Sequence, residues 1–162
     1  MELPVLTKLK REVLELKHEL TVELPKELAA AAAHGDLSEN AEYEAAKSRQ
    51  DYVRSRIGQL EARIRELSMY SIADIPRGVV AYGSRVKVAD VDADEDVTVI
   101  YEIVFPEEVE PSKGLISLSS PIGRALVNKA VGDEVEVHTP RGRRTYQIIA
   151  LQTIHQIRGV DV

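Results

Sequence analysis

The stretch His34-Gly35-Asp36-Leu37-Ser38-Glu39-Asn40-Ala41-Glu42-Tyr43 decides how this chain folds. It lies between two segments with helical periodicity. On its N-terminal side, Leu6, Leu9, Val13, Leu16, Leu20, Leu24 and Leu28 recur at steps of three and four and run into Ala29–Ala33. Such spacing puts one apolar stripe on a helix, and alanine has the best intrinsic helix propensity. On its C-terminal side, Ala46, Val53, Ile57, Leu60, Ile64 and Leu67 form a second stripe; after the first step it alternates four and three, a short coiled-coil seam. Between the stripes, Gly35 is placed to stop one helix in the left-handed conformation. Asp36, with Glu39 three residues on, has the capping-box spacing that starts the next. A stop followed at once by a start makes the helices antiparallel neighbours. The predicted element is a hairpin about 40 Å long with Asp36 and Glu39 at its tip. Pro25 is the discordant residue: within a helix it removes a hydrogen bond and clashes with the preceding turn, at about 3 kcal/mol. A kink, or a boundary between two helical pieces, is expected near residues 21–25.

Beyond Tyr70 the pattern changes. Pro76 and Gly78 break the helix, and residues 71–83 read as a linker. From Ser84 the period becomes two: Val86 and Val88; Val97, Val99, Tyr101 and Ile103; Leu115 to Ser117; Val135 and Val137; and Tyr146 to Leu151. The acidic run 90–96, residues 106–114, Gly132-Asp133 and Thr139-Pro140-Arg141-Gly142 supply turns, the last suited to a type I turn. Ser120-Pro121, followed by Ile122, Ala125 and Leu126, predicts a short helix with Ser as N-cap and Pro in its first position. The tail after Ile154 has no pattern and is expected to fray. The predicted class is α+β, with a helical hairpin over residues 1–75 and a mostly-β domain over 76–162.

Composition narrows the function. The chain has 162 residues and a formal charge of −6, which argues against strong sequence-independent binding to nucleic acid. With no cysteine, thiolate metal sites and disulfides are excluded. The N-terminal residues lack an apolar core of the signal-peptide kind, and no apolar run approaches the roughly 20 residues of a membrane span. A cytoplasmic protein is expected. One Phe (Phe105), no Trp and six Tyr leave the core to aliphatic residues. They also leave little for an aromatic-lined pocket of the prolyl-isomerase kind.

Several clusters are candidates for chemistry. Asp36 and Glu39 cap a helix; exposed on a projecting tip, they could also ligate a hard cation such as magnesium, which keeps its waters and needs only one or two protein carboxylates. Asp90 to Asp96 resembles the start of a calcium loop but has Glu95 where Gly is needed and Tyr101 where Glu is needed, so it reads as a solvated turn. Arg141, Arg143 and Arg144 gather at a hairpin, and Lys47, Arg49, Arg54 and Arg56 follow the tip; either group could meet phosphate or simply face solvent. His34 stands near the tip. His18, His138 and His155 show no ligand spacing. No nucleophile elbow or phosphate-binding glycine loop is present.

The run Gly35-Asp36-Leu37-Ser38-Glu39-Asn40-Ala41-Glu42-Tyr43-Glu44-Ala45-Ala46-Lys47 resembles the tip signature of the Gre family of bacterial transcript-cleavage factors, in its GreA-type branch. Leu115-Ile116-Ser117, Ser120-Pro121-Ile122-Gly123-Arg124-Ala125-Leu126, Gly132-Asp133-Glu134-Val135 and Thr139-Pro140-Arg141-Gly142 follow the family's order, so the resemblance covers nearly the whole chain. It implies a coiled coil that enters the secondary channel of RNA polymerase. There Asp36 and Glu39 would help hold the second catalytic Mg2+ and orient water, so that the polymerase cuts backtracked RNA at its 3′ end. Asp36 is the expected metal ligand, and Glu39 the water positioner or second ligand. The resemblance also implies an FKBP-like C-terminal domain docking through Ser120, Pro121, Ile122, Arg124 and Leu126, RNA contact through Tyr43 and Lys47, a monomer, and no catalysis apart from the polymerase. The alternative is a non-cleaving regulator of the same channel. Pro25 is displaced from the family's proline position, Gly123 stands where Ala is more usual, and the Ala run replaces a basic residue before the tip.

Overall fold

The computed structural model describes residues 1–33 and 37–160, and of residues 37–39 only the backbone. The chain divides into two compact units, one of Glu2–Tyr70 and one of Ser71–Val162 together with Met1.

The first unit is helical. Helix α1 (Pro4–His18) is followed by a π-helical turn, Glu19–Glu23, then by α2 (Leu24–Ala32); α3 (Leu37–Leu67) returns. The interruption expected near residues 21–25 is therefore a widened turn between two helical pieces. Its closing bond runs from the Leu24 N–H to the Glu19 carbonyl, one residue further back than in an α-helix. Pro25, with no N–H to give, sits in the first turn of α2, where a proline is tolerated. The arms pack along a seam centred on Leu24, Val53 and Ile57, with half-buried Leu16 and Leu20 against them. They are antiparallel: Glu12 pairs with Arg56 at 3.1 Å, and Glu19, further along α1, pairs with Arg49, further back along α3.

The second unit is a five-stranded mixed sheet in the order β3-β2-β1-β5-β4, with β1 (Arg85–Asp90), β2 (Thr98–Val104), β3 (Leu115–Ser117), β4 (Glu134–Thr139) and β5 (Gly142–Gln152). All pairs are antiparallel except β2 with β3. Together with the helical unit this is an α+β fold. One face carries Val86, Val88, Ile103, Val135, Val137 and Ile148, closed by Val80 and by Leu126 of α4 (Pro121–Leu126).

Two sequence expectations are corrected. Residues 71–83 are not simply a linker: Val80, Ala81 and Tyr82 are buried, and Ile72–Asp74 forms a 3-10 turn with the Ser71 N–H donating to Asp74 Oδ2 at 2.8 Å. As far as residue 160 the tail is ordered rather than frayed. Ile154–Arg158 forms a helix, α5, closed by Gly159 in the left-handed conformation, with Ile154 and His155 buried. Both segments are too short to show periodicity; tertiary contacts order them. The His155 Nε2 lies 2.9 Å from the Ile72 carbonyl oxygen, so that nitrogen carries its proton, and Nδ1 lies 3.2 Å from Thr153 Oγ1. Gly83, at φ +78°, is fixed by the same packing, because a Cβ there would run into the Ile154 side chain.

Candidate functional site

In sequence the tip motif falls between α2 and α3, whose packing is antiparallel. Alpha-helical structure ends at Ala32, and α3 begins at Leu37. Asp36 and His34 lie outside the described residues. Glu39 is in the first turn of α3, and its side chain is outside them too. Among the described residues no group of three or more His, Asp or Glu is arranged to hold a metal. Tyr43 is half-buried and Lys47, one turn on and on the same face, is exposed.

The basic residues beyond the tip divide by role. Arg49 forks onto Glu19, Nε to Oε2 at 2.6 Å and Nη2 to Oε1 at 2.8 Å, and its guanidinium lies 5.1 Å from the centre of the Tyr52 ring. These hydrogen bonds hold the Glu19 carboxyl below the usual glutamate range and raise Arg49. Arg56 bridges to Glu12, and Arg54 stands 4.0 Å from Asp51 on its own helix. Two of the three arginines thus fasten the arms to each other, and Lys47 and Arg54 are exposed.

Near the tip the seam thins. Leucine gives way to alanine, and α2 and α3 leave an open groove of about 440 Å³ floored by Ala30, Ala31, Ala45 and Ala46 and edged by Glu27, Glu42 and Arg49. The tip half therefore holds its register with small side chains, whereas the Leu, Val and Ile seam secures the half behind it.

In the second unit the α4 region is built as the sequence predicts. The Ser120 Oγ accepts the Gly123 N–H at 3.1 Å and donates to the Ser117 carbonyl at 2.7 Å. Pro121 and Arg124 are exposed and Ile122 is half-buried. Leu126 is fully buried in the core and has no surface to offer a docking partner. Gly123 is buried because α4 crosses the end of β3 closely; a Cβ there would collide with the Ser117 carbonyl oxygen. The glycine is a packing requirement of this chain, and alanine would need α4 to stand further off.

The remaining clusters are structural. In the acidic turn, Asp90 pairs with Arg144 at 3.5 Å, and Asp92 Oδ2 accepts the Thr145 N–H at 3.0 Å, so these acids join the β1–β2 connection to β5. Arg143 pairs with Glu136 across the β4–β5 hairpin, and Arg141 is exposed at its turn. The π-helical turn and its clamp, Glu19 with Arg49, were not anticipated. The available signal was a step of eight, where seven is regular, between Leu16 and Leu24 and again between Leu20 and Leu28.

Comparison with known proteins covers both units. Residues 5–68 match the family description "Transcription elongation factor, N-terminal", and residues 75–153 match "Transcription elongation factor, GreA/GreB, C-term". The transcription elongation factor GreA of Syntrophotalea carbinolica is 41% identical over 138 residues, 83% of this chain and 86% of that protein. That of Sinorhizobium medicae is 45% identical over 125 residues, 77% of this chain and 78% of the other. The crystal structure of GreA factor homolog 1 of Thermus thermophilus aligns over 91% of this chain and 94% of its own at 26% identity, with a TM-score of 0.41. That superposition is loose, and the assignment rests on the sequence matches. On them, the chain belongs to the GreA/GreB family of transcription elongation factors.

Proposed function

We propose that this chain acts on RNA polymerase, entering its secondary channel with the helical hairpin and stimulating cleavage of backtracked RNA by the polymerase's own active centre. The observation that carries this reading is the acidic motif at the turn of a two-armed helical unit, in a chain whose relatives bear the name transcription elongation factor GreA. Asp36 and Glu39 hold Mg2+ jointly with the polymerase; their fit rests on the chemistry of the donor set, two hard carboxylate oxygens where the other ligands come from elsewhere. Bound there, the ion would supply charge stabilisation and an acidified water. Asp36 serves as ligand, and Glu39 orients water or adds a second ligand. Lys47 offers a charge to the RNA phosphates, and Tyr43 a ring one turn nearer the tip. In the second unit, with its proposed FKBP-like architecture, the exposed Pro121 and Arg124 of α4 carry the docking contact, supported by Ser120 and Ile122. The chain has no hydrolytic activity of its own in this reading.

The test is a cleavage assay on halted elongation complexes. Asp36→Ala with Glu39→Ala should return cleavage to the polymerase's intrinsic rate while leaving binding intact. Cleavage at the unaltered rate would remove the metal role. Binding by the unaltered chain with no stimulated cleavage would favour a non-cleaving regulator of the same channel.

A further inference from the structure

The two arms of the hairpin do not carry the same repeat. In α3 the seam positions Ala46, Val53, Leu60 and Leu67 are seven apart, as are Tyr43, Gln50, Ile57 and Ile64. In the first arm, Leu9 to Leu16 and Val13 to Leu20 are sevens, Leu16 to Leu24 and Leu20 to Leu28 are eights, and Leu24 to Ala31 is seven again. One extra residue lies between Leu16 and Leu24, and the π-helical turn Glu19–Glu23 falls within that interval. An extra residue in a continuous α-helix would rotate everything beyond it by about 100°. The widened turn absorbs it locally, so Leu24 and Ala31 return to the seam, both buried.

A residue of this kind need not stay where it is. The excess could move along the arm, or spread as altered winding over several turns. Packing holds the turn only lightly, since none of Glu19–Glu23 is fully buried and Leu20 alone among them rests, half-buried, against the seam. Towards the tip the seam is alanine over an open groove, which opposes rotation weakly. What fixes the turn is at its first residue. Glu19, whose carbonyl closes the wide turn, has its carboxylate held by both forks of Arg49 on the unbroken arm. Thr21 Oγ1 bonds back to the Lys17 carbonyl at 2.8 Å, a contact that bends helices at such places.

We infer that Arg49 is a positioning residue: its clamp on Glu19 confines the surplus residue to one turn and thereby sets the rotation of α2, and with it the presentation of the tip. The inference needs the proposed cleavage activity only for its functional readout.

The chain has no cysteine, so Ala29→Cys in α2 and Ser48→Cys in α3, both exposed, can carry a pair of spin labels on the full-length protein. Pulsed dipolar spectroscopy should give one narrow distance distribution in the labelled parent and a broad or double one in Arg49→Met. Arg49→Lys keeps the charge but loses the fork and should fall between. The decisive variant deletes Val22 and replaces Pro25 by Ala, removing both the surplus residue and the break. In that background the distribution should be narrow whether residue 49 is Arg or Met. A distribution in Arg49→Met as narrow as the parent's, with helicity retained, overturns the inference. So does broadening that persists once the surplus residue is gone. In halted complexes, Arg49→Met should lower stimulated cleavage on the order of 10-fold with unchanged half-saturation, and the deletion background should abolish that dependence. If the unaltered chain stimulates no cleavage, the proposed function fails while the distance measurement still decides the role of Arg49.

Discussion

The sheet unit and the helical unit hold their residues in place by different means. In the sheet, eight buried side chains from four strands, α4 and the segment before β1 meet in one cluster. Each is fixed from several directions, and slipping a strand by one position would turn its whole apolar set outward. In the hairpin the buried residues follow one another along a seam, with Leu24, Val53, Ile57 and half-buried Leu16 and Leu20 clustered at its middle and Val13, Ala31, Ala46 and Leu60 among those that extend it, so that each layer meets only its neighbours. A rotation or slip there is opposed by the seam and by ion pairs such as Glu19 with Arg49 and Glu12 with Arg56. The sheet is over-determined and the hairpin only just determined. Damage to the first should therefore appear as lost stability, and damage to the second as a misplaced tip.

The hardest test of that contrast is Ile148→Ala, at the centre of β5. It should cost about 2–5 kcal/mol, read by calorimetry as a lowered melting transition of the sheet unit. A cost below about 1 kcal/mol would mean the cluster does not hold the sheet from several directions at once. Gly83→Ala should come next, at about 1–3 kcal/mol, since it combines a positive φ with a collision against Ile154. Its loss should be recovered in part by Ile154→Val, which trims the obstructing side chain.

The smallest expected effect is on pH. Arg49 depresses Glu19, so the pair's stabilisation is full above the ordinary glutamate range and is lost as pH falls through the lowered value. Far-UV circular dichroism of the hairpin during acid titration should show this as a shallow loss of helix. Arg49→Met should flatten it; an identical acid profile in that variant would mean the clamp is not linked to folding.

Much of this architecture was legible in the sequence, for physical reasons. Alternation along Val86 to Val88 has one interpretation when one face is buried, and Ser120-Pro121 states a helix start outright. The alternation expected over Tyr146 to Leu151 holds only as far as Ile148, because a register shift against β1 adds a residue and returns Leu151 to the core side one position late. The tail and the segment around Ile72 were not legible, because three to five residues are too few for a period and their order comes from contacts 83 positions apart in sequence. The widened turn was half legible. Pro25 marked the place, but steps of three and four look alike whether or not they sum to seven. Of the candidate site, the tip carboxylates Asp36 and Glu39 lie outside what the structure describes, and Leu126, expected at a docking surface, is buried in the core, because an apolar residue on a short amphipathic helix reads the same from either side.

The peptide of Ile72 has one further consequence. Its N–H donates to the Met1 carbonyl at 3.0 Å, and its carbonyl accepts a hydrogen bond from the His155 ring. Material from the start, the middle and the far end of the polypeptide is thus knotted at one amide. Anyone preparing shortened forms should leave α5 whole, since trimming the last ten residues would orphan a buried carbonyl in the middle of the chain, far from the cut.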